Sequence, residues 1–205
     1  MQKPARARIL DAAYDLMLSL GLARTTTKEI AKAAACSEAA LYKSFASKEE
    51  LFIAVLDERL PKLGPLLGDL TASPGAGSLE GNLAEVARQA ARFYAQTVPI
   101  AASLYADPRL KARHEAALRA LGTGPHKPIQ GLDRYLRAEQ EVGRIAADAD
   151  TYAAASLLLG ACAHLAFAYD SAPGGVAAPP LDRFAADLAR TLLSGIRPPG
   201  TKDTP

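Results

Sequence analysis

Cysteine is almost absent from this chain: Cys36 and Cys162 are the only two in 205 residues. Two are too few for a disulfide framework, and these are too far apart in sequence for a zinc knuckle. A reducing compartment, the cytoplasm, is the expected location. Histidine is equally sparse. His114, His126 and His164 are scattered, and with two cysteines to join them they offer no metal-ligand spacing. Neither a metal nor a cofactor is expected. An excess of one charge is missing too. The net charge is +2, which excludes a grossly basic nucleic-acid coat protein but leaves room for a local basic face. The N-terminus, MQKPARARILDAAYDLML, has neither the unbroken apolar stretch nor the small-residue cleavage site of a signal peptide. The most apolar late stretch, residues 153–168, contains Ser156, Gly160 and His164 and is short for a bilayer crossing, so no membrane partner is expected. Residues 60–197 contain no P-loop, no Gly-x-Ser-x-Gly and no His-Glu-x-x-His, and no enzyme is expected there.

Strand signals are missing as well. Valine is scarce and no alternating run occurs, whereas apolar residues recur at helical spacing. The fold class that follows is all-α. Ile9, Ala13, Leu16, Met17 and Leu20 line one stripe of a first helix. Pro4 suits its opening turn, where a missing N–H costs nothing, and Gly21 stops it. Thr26 and Glu29 are spaced as a capping box, and the short helix they open turns Ile30 and Ala34 inward. Ser37 caps the next helix, 38–45, with Leu41 and Phe45 inside. Ser47 and Glu50 form a second box and open a longer helix through Leu51, Phe52, Val55 and Leu56, which Pro61 and Pro65 kink or end. Residues 71–78, TASPGAGS, read as a loop and a linker. Five further helices are predicted near 79–97, 108–121, 125–141, 148–169 and 180–195, with a short one over 100–105. Gly122, Gly124, Gly143 and the run 172–180 mark loops between them. Residues 198–205 read as a disordered tail.

Two short helices joined by a tight turn, after a longer supporting helix, are the geometry that seats one helix in a major groove. The charges agree. Residues 1–48 carry eight Lys or Arg against four acidic residues, a local +4 in a chain of +2, so the remainder is acidic. A basic lobe on an acidic body suits phosphate contact. The division expected is therefore a DNA-binding headpiece over 1–48 and a helical body over 49–197.

The segment ILDAAYDLMLSLGLARTTTKEIAKAAACSEAALYKSFASKEELFIAVL resembles the TetR family of bacterial transcriptional regulators. Its specific parts are Thr-Thr before Lys-Glu-Ile-Ala, the Ser-x-x-x-Leu-Tyr-x-x-Phe run and Ser-Lys-Glu-Glu-Leu. The resemblance implies a three-helix headpiece, a ligand-sensing body and a homodimer. It also implies roles. Ser37, Glu38, Ala39 and Ala40 lie at the start of the recognition helix, where two alanines suggest apolar contact with thymine methyls. Tyr42 matches the family's phosphate-contacting tyrosine; a packing residue with a wet hydroxyl is the alternative. Lys43 reaches a phosphate or a base. Lys48 stands at the next helix's N-terminus, where backbone N–H groups also favour a phosphate, and Thr26 and Thr27 do the same on the other side. One departure is Ala35, where the family commonly has glycine in the turn, followed by Cys36 in place of valine. Alanine in the left-handed region costs about 1 kcal/mol, which the turn should survive.

In the body, Ala153, Ala154, Ala155, Ser156, Gly160, Ala161, Ala163 and Ala166 would let another backbone approach closely. The resemblance places dimerisation on the last two long helices, the second carrying Leu181, Phe184, Leu188, Leu192 and Ile196. Phe93, Tyr94, Gln96, Tyr105, Tyr135 and Phe167 set aromatic area and a few polar handles among alanines, as small-molecule pockets do; simple core packing is the alternative for each. The function expected is a ligand-responsive repressor, released from a palindromic operator by a small hydrophobic molecule. An architectural DNA-binding protein without sequence preference, or an all-α enzyme in the body, are the other classes left open.

Overall fold

A computed structural model of the chain describes residues 3–60, 62–170 and 177–195, without the side chains of 103–106 and 170. Ile196, the 198–205 tail and most of the run 172–180 lie outside these residues. Among the described residues the chain is all-α, with ten helices.

α1 (Ala5–Leu20) buries Ile9, Leu10, Ala13 and Met17. The buried stripe runs through Leu10 rather than Leu20, which is 36% exposed. α2 (Thr27–Ala33) opens on the full capping box: Thr26 accepts from the Glu29 N–H and the Glu29 carboxylate takes the Thr26 N–H. α3 (Glu38–Ser44) is capped by Ser37, which accepts from the Ala40 N–H at 3.1 Å. α4 (Lys48–Arg59) is capped by Ser47. There Glu50 reaches one residue further back than in a full box and takes the Ala46 N–H at 2.7 Å.

The turn between α2 and α3 holds the departure noted above. Ala35 has φ 51° and is the non-glycine residue with positive φ among those described. Ala35→Gly removes the steric cost of a Cβ in this region but adds backbone entropy to the unfolded chain. A gain of up to about 1 kcal/mol is expected, read as a higher midpoint in thermal denaturation.

The next stretch differs from the sequence reading. α4 ends at Arg59, ahead of the two prolines as expected, but a helix that the sequence did not announce follows it. α5 (Leu63–Ala72) forms its own helix and buries Leu63 and Leu67. Pro65 is its third residue, inside the first turn, where no N–H is required. The loop shortens to residues 73–78 accordingly. α6 (Leu79–Ala106) is another difference, one helix of 28 residues with Pro99 inside it. Proline in a helix interior removes one hydrogen bond and costs about 3 kcal/mol. That cost is offset here because continuing the helix carries Ile100, fully buried, into the core beneath α1.

α7 (Pro108–Ala120), α8 (Lys127–Glu141), α9 (Thr151–Asp170) and α10 (Leu181–Ser194) complete the body. Two cores result. One gathers α1 to α4 and also takes Ile100 from α6 and Leu110 from α7. The other packs α5, α6, α8, α9 and α10 around Leu83, Val86, Ala87, Ala90, Leu132, Tyr135 and Leu158. α6 is buried in both.

The loop 73–78 is held by a buried carboxylate. Glu139 is fully buried and accepts the Gly75 N–H at 3.2 and 3.3 Å. Arg144 pairs with Glu139 at 3.3 Å and donates to the Gly77 carbonyl at 3.0 Å. α9 from Thr151 to Tyr169 is long and apolar enough, by length and composition alone, to cross a membrane, with a mean hydropathy of 1.5. Its Ala155, Leu158, Leu159 and Cys162 are buried against the body core. Its other side exposes Tyr152, Leu157 (66%), Gly160, His164 and Phe167 (60%).

Candidate nucleic-acid interface

The headpiece presents α3 on a rigid base. Leu41 and Phe45 anchor one side in the core, at 0% and 2% exposure. With that side fixed, helical spacing turns Glu38, Ala39, Tyr42 and Lys43 outward, and all four are exposed. Ala40 is half-buried. The Ser37 hydroxyl oxygen accepts the Ala40 N–H, so its first role is to start the helix.

Three of the expected contact residues meet. The Thr27 hydroxyl donates to Glu38 Oε1 at 2.9 Å and lies 3.4 Å from the Tyr42 hydroxyl. Since Thr27 gives its proton to the carboxylate, Tyr42 is the donor in that second, longer bond. Tyr42 is half exposed at 50%, and its O–H can turn from this long bond to a phosphate. The result is a polar chain across the helix-turn-helix, joining the first residue of α2 to both ends of the outer face of α3. Thr26 lies beside it, fixed by Glu29. Hydrogen bonds from Thr26 hold the Glu29 carboxyl below its usual range.

The basic residues divide into two groups. Lys3 donates to Asp11 at 2.9 Å. Arg6 makes a two-pronged bond to Glu58 at 2.6 Å and lies 5.1 Å from the centre of the Phe45 ring. Arg8 donates to the Ala34 carbonyl at 3.0 Å, satisfying the end of α2 beside the strained turn. These three are committed inside the headpiece. Arg24, Lys28, Lys32 and Lys43 are exposed. Lys48 is half-buried at the start of α4, and burial, more than any neighbouring charge, lowers the pKa of its amine.

The sequence reading missed the joint between headpiece and body. Tyr14 on α1 donates to Gln96 on α6 at 3.1 Å. The Leu22 N–H donates to the Ile100 carbonyl at 3.3 Å. On the other side, Arg113 pairs with Glu49 at 3.2 Å, and the His114 ring lies 5.0 Å from that of Phe52. His114 is buried and its Nδ1 has no protein partner. Burial pushes its pKa down, against the opposing pull of Glu49 and Glu115. No local spacing announces any of these pairs.

The six residues expected at a ligand pocket are spread out. Phe93 and Tyr94 touch edge to face at 5.3 Å, half-buried against the body core. Gln96 serves the joint. Tyr135 is fully buried, and its hydroxyl accepts from Asn82 at 2.9 Å. Phe167 stands on the outer side of α9 near His164, and the Tyr105 side chain lies outside the described residues. A groove of about 320 Å³ opens between α6, the end of α9 and the start of α10, lined by Ala91, Arg92, Ala95, Leu165, Ala166 and Tyr169 among others. Among the described residues no group of three or more His, Cys, Asp or Glu could hold a metal ion.

Residues 9–55 match the family model described as bacterial regulatory proteins, tetR family. A stretch of 72 residues is 42% identical to the uncharacterized HTH-type transcriptional regulator YvkB of Bacillus subtilis, covering 33% of this chain and 38% of that protein. The chain thus spans well under two thirds of that relative's length. Over 95% of this chain and 98% of the other, the fold is similar to that of Salmonella enterica GusR, with TM-score 0.66 and 27% identity. It is also similar to FadR of Bacillus subtilis in complex with stearoyl-CoA, over 93% and 99% of the two chains, with TM-score 0.67 and 18% identity.

Proposed function

Because residues 9–55 match the model of the TetR family of bacterial regulatory proteins, we propose that this chain is a cytoplasmic transcriptional repressor of that family. It acts as a homodimer on a palindromic operator and is released by a small hydrophobic molecule. The observation that carries this reading is the outer face of α3, where Thr27, Glu38 and Tyr42 are joined by hydrogen bonds across the helix-turn-helix. In this reading Tyr42 and Lys48 grip phosphates on either side of the groove, as do the backbone N–H groups at the start of α2 that Thr26 and Thr27 set in place. Ser37, Glu38, Ala39, Ala40 and Lys43 face it. Two headpieces set roughly 34–36 Å apart read the two half-sites.

Support for the dimer comes from α9. Its exposed apolar side includes Gly160, where even an added Cβ would meet open space, so a second copy can approach closely. Support for a hydrophobic effector comes from the apolar groove beside α6 and from the stearoyl-CoA held by the similarly folded FadR. Of the side chains expected to bind the effector, Phe93 and Tyr94 stand on α6, the helix that also lines this groove, whereas Gln96, Tyr135 and Phe167 lie apart from it. An effector there shifts α4 and changes the headpiece spacing. A coupling of roughly 1–3 kcal/mol gives a 5- to 150-fold change in operator affinity.

Selection from random duplexes tests the reading. A palindromic consensus is expected, and binding that competes equally with nonspecific DNA would mark an architectural protein instead. Two variants separate the roles. Lys48→Ala should weaken all duplexes alike and reduce the slope of log affinity against log salt by about 1. Tyr42→Phe should weaken them alike while leaving that slope unchanged, because no charge is removed. A change of base preference in either variant would contradict the phosphate assignment.

A further inference from the structure

Glu38 is out of place on a surface meant for DNA. It is exposed on the face that also carries Tyr42 and Lys43, and a carboxylate brought to a duplex is repelled by its phosphates. Among the described residues no lysine or arginine pairs with it. It is nonetheless held still, because Thr27 donates to Oε1 at 2.9 Å. That leaves Oε2 to accept from whatever faces the helix. Ala39 and Ala40 beside it have no polar side-chain atoms, and Ser37 is the cap ahead of the first turn, its oxygen turned back onto the Ala40 N–H. Glu38 is therefore the polar side chain through which the first turn of α3 can read a base edge.

We propose that Glu38, set by Thr27, reads cytosine in the major groove of each half-site. This rests on the DNA-binding reading above. A carboxylate can only accept hydrogen bonds. In the major groove guanine offers the acceptors N7 and O6, and thymine offers O4 and a methyl, so both reject it. Adenine offers a donor at N6, but beside the acceptor N7, which faces the second carboxylate oxygen unfavourably. Cytosine offers the N4 amino donor with no neighbouring acceptor. The Thr27 hydroxyl is a positioning residue: it occupies one oxygen and aims the other. The repulsion from phosphates then has a use, since binding without a cytosine partner for Glu38 is weakened everywhere else.

The test is duplex selection and measured affinities for the full-length protein and two variants. The parent chain should select a cytosine at one fixed position per half-site, and replacing that base should cost roughly 5- to 150-fold in affinity. Glu38→Gln should move the preference there toward adenine, which glutamine contacts through N6 and N7, and should raise affinity for nonspecific DNA. Thr27→Val should blur the preference without changing the salt slope. Identical consensus sequences for the parent and Glu38→Gln would overturn the proposal while leaving the regulator reading intact. A parent chain that selects no consensus would overturn both. If Glu38→Gln lowers thermal stability with base preference unchanged, the Thr27 to Glu38 bond is only a staple between helices and the proposal fails.

Discussion

Phe52→Ala is expected to lower unfolding free energy by about 3–5 kcal/mol, the usual cost of truncating a fully buried phenylalanine. Phe52 is 1% exposed. It belongs to the core that joins α1 to α4 with Ile100 and Leu110, so the cavity would open under the headpiece and the body together. Operator affinity should fall as well, because α4 is the helix that both lobes share at this point. Chemical denaturation with two probes, one in each lobe, checks the first part; a loss below about 1 kcal/mol would mean the site repacks. A second readout is specific to the place. The Phe52 ring covers His114, whose Nδ1 has no protein partner and whose pKa burial pushes down. Water entering the cavity would relieve that burial and let the imidazole titrate nearer its ordinary value. The sign follows for stability. While its folded pKa is depressed, His114 contributes stability that is complete above about pH 6.5 and is lost as pH falls toward and through the folded value. Phe52→Ala should therefore show a weaker fall in stability between neutral and mildly acidic pH than the parent, and a His114 resonance that titrates higher.

Glu139→Ala should cost a similar amount, about 3–5 kcal/mol, but for an electrostatic reason. Removing one partner of a buried ion pair strands the other. Arg144 would keep its bond to Gly77 but lose its counter-charge, and the Gly75 N–H would lose its acceptor. The loop 73–78 should then open, seen as faster hydrogen exchange at Gly75. DNA affinity at a temperature where the variant is folded should be unchanged, since the site lies in the body core and not at the joint. Arg144→Ala added to Glu139→Ala should recover part of the loss. If the double variant is as unstable as the sum of the single ones, the pair is not coupled and the packing around Glu139 explains the cost instead.

Much of the headpiece was legible because its signals are local. The Thr26 to Glu29 box, the Ser37 cap and the left-handed Ala35 each involve residues within four positions, and each is in place. α5 was not anticipated, because Pro61 and Pro65 announced only the end of α4; yet a proline in the first turn breaks nothing, and Leu63 and Leu67 have the i, i+4 spacing of a buried face. The break expected between 97 and 100 is absent for a related reason: the cost of Pro99 is local, but the burial of Ile100 that offsets it is decided by α1. The joint was invisible for the same reason. Tyr14 and Gln96 are 82 positions apart, and the Phe52 to His114 contact links residues that no helical period connects. The interface residues were named mostly from the family resemblance. The sequence could not show that Thr27, Glu38 and Tyr42 touch, because their contact depends on the angle between α2 and α3.

α6 runs unbroken from the body core, through Phe93 and Gln96, into the core below α1. A coupling between sites in the two lobes is reciprocal whatever carries it. Under the proposed function, whatever factor an effector beside α6 takes from operator affinity, the operator takes from effector affinity. The concentration of effector needed for release then depends on how many operators are filled. In a cell with few copies of the site, most dimers would be free and would bind effector at its full strength, acting as a reservoir for the molecule they sense. The last dimers to respond would be those sitting on DNA.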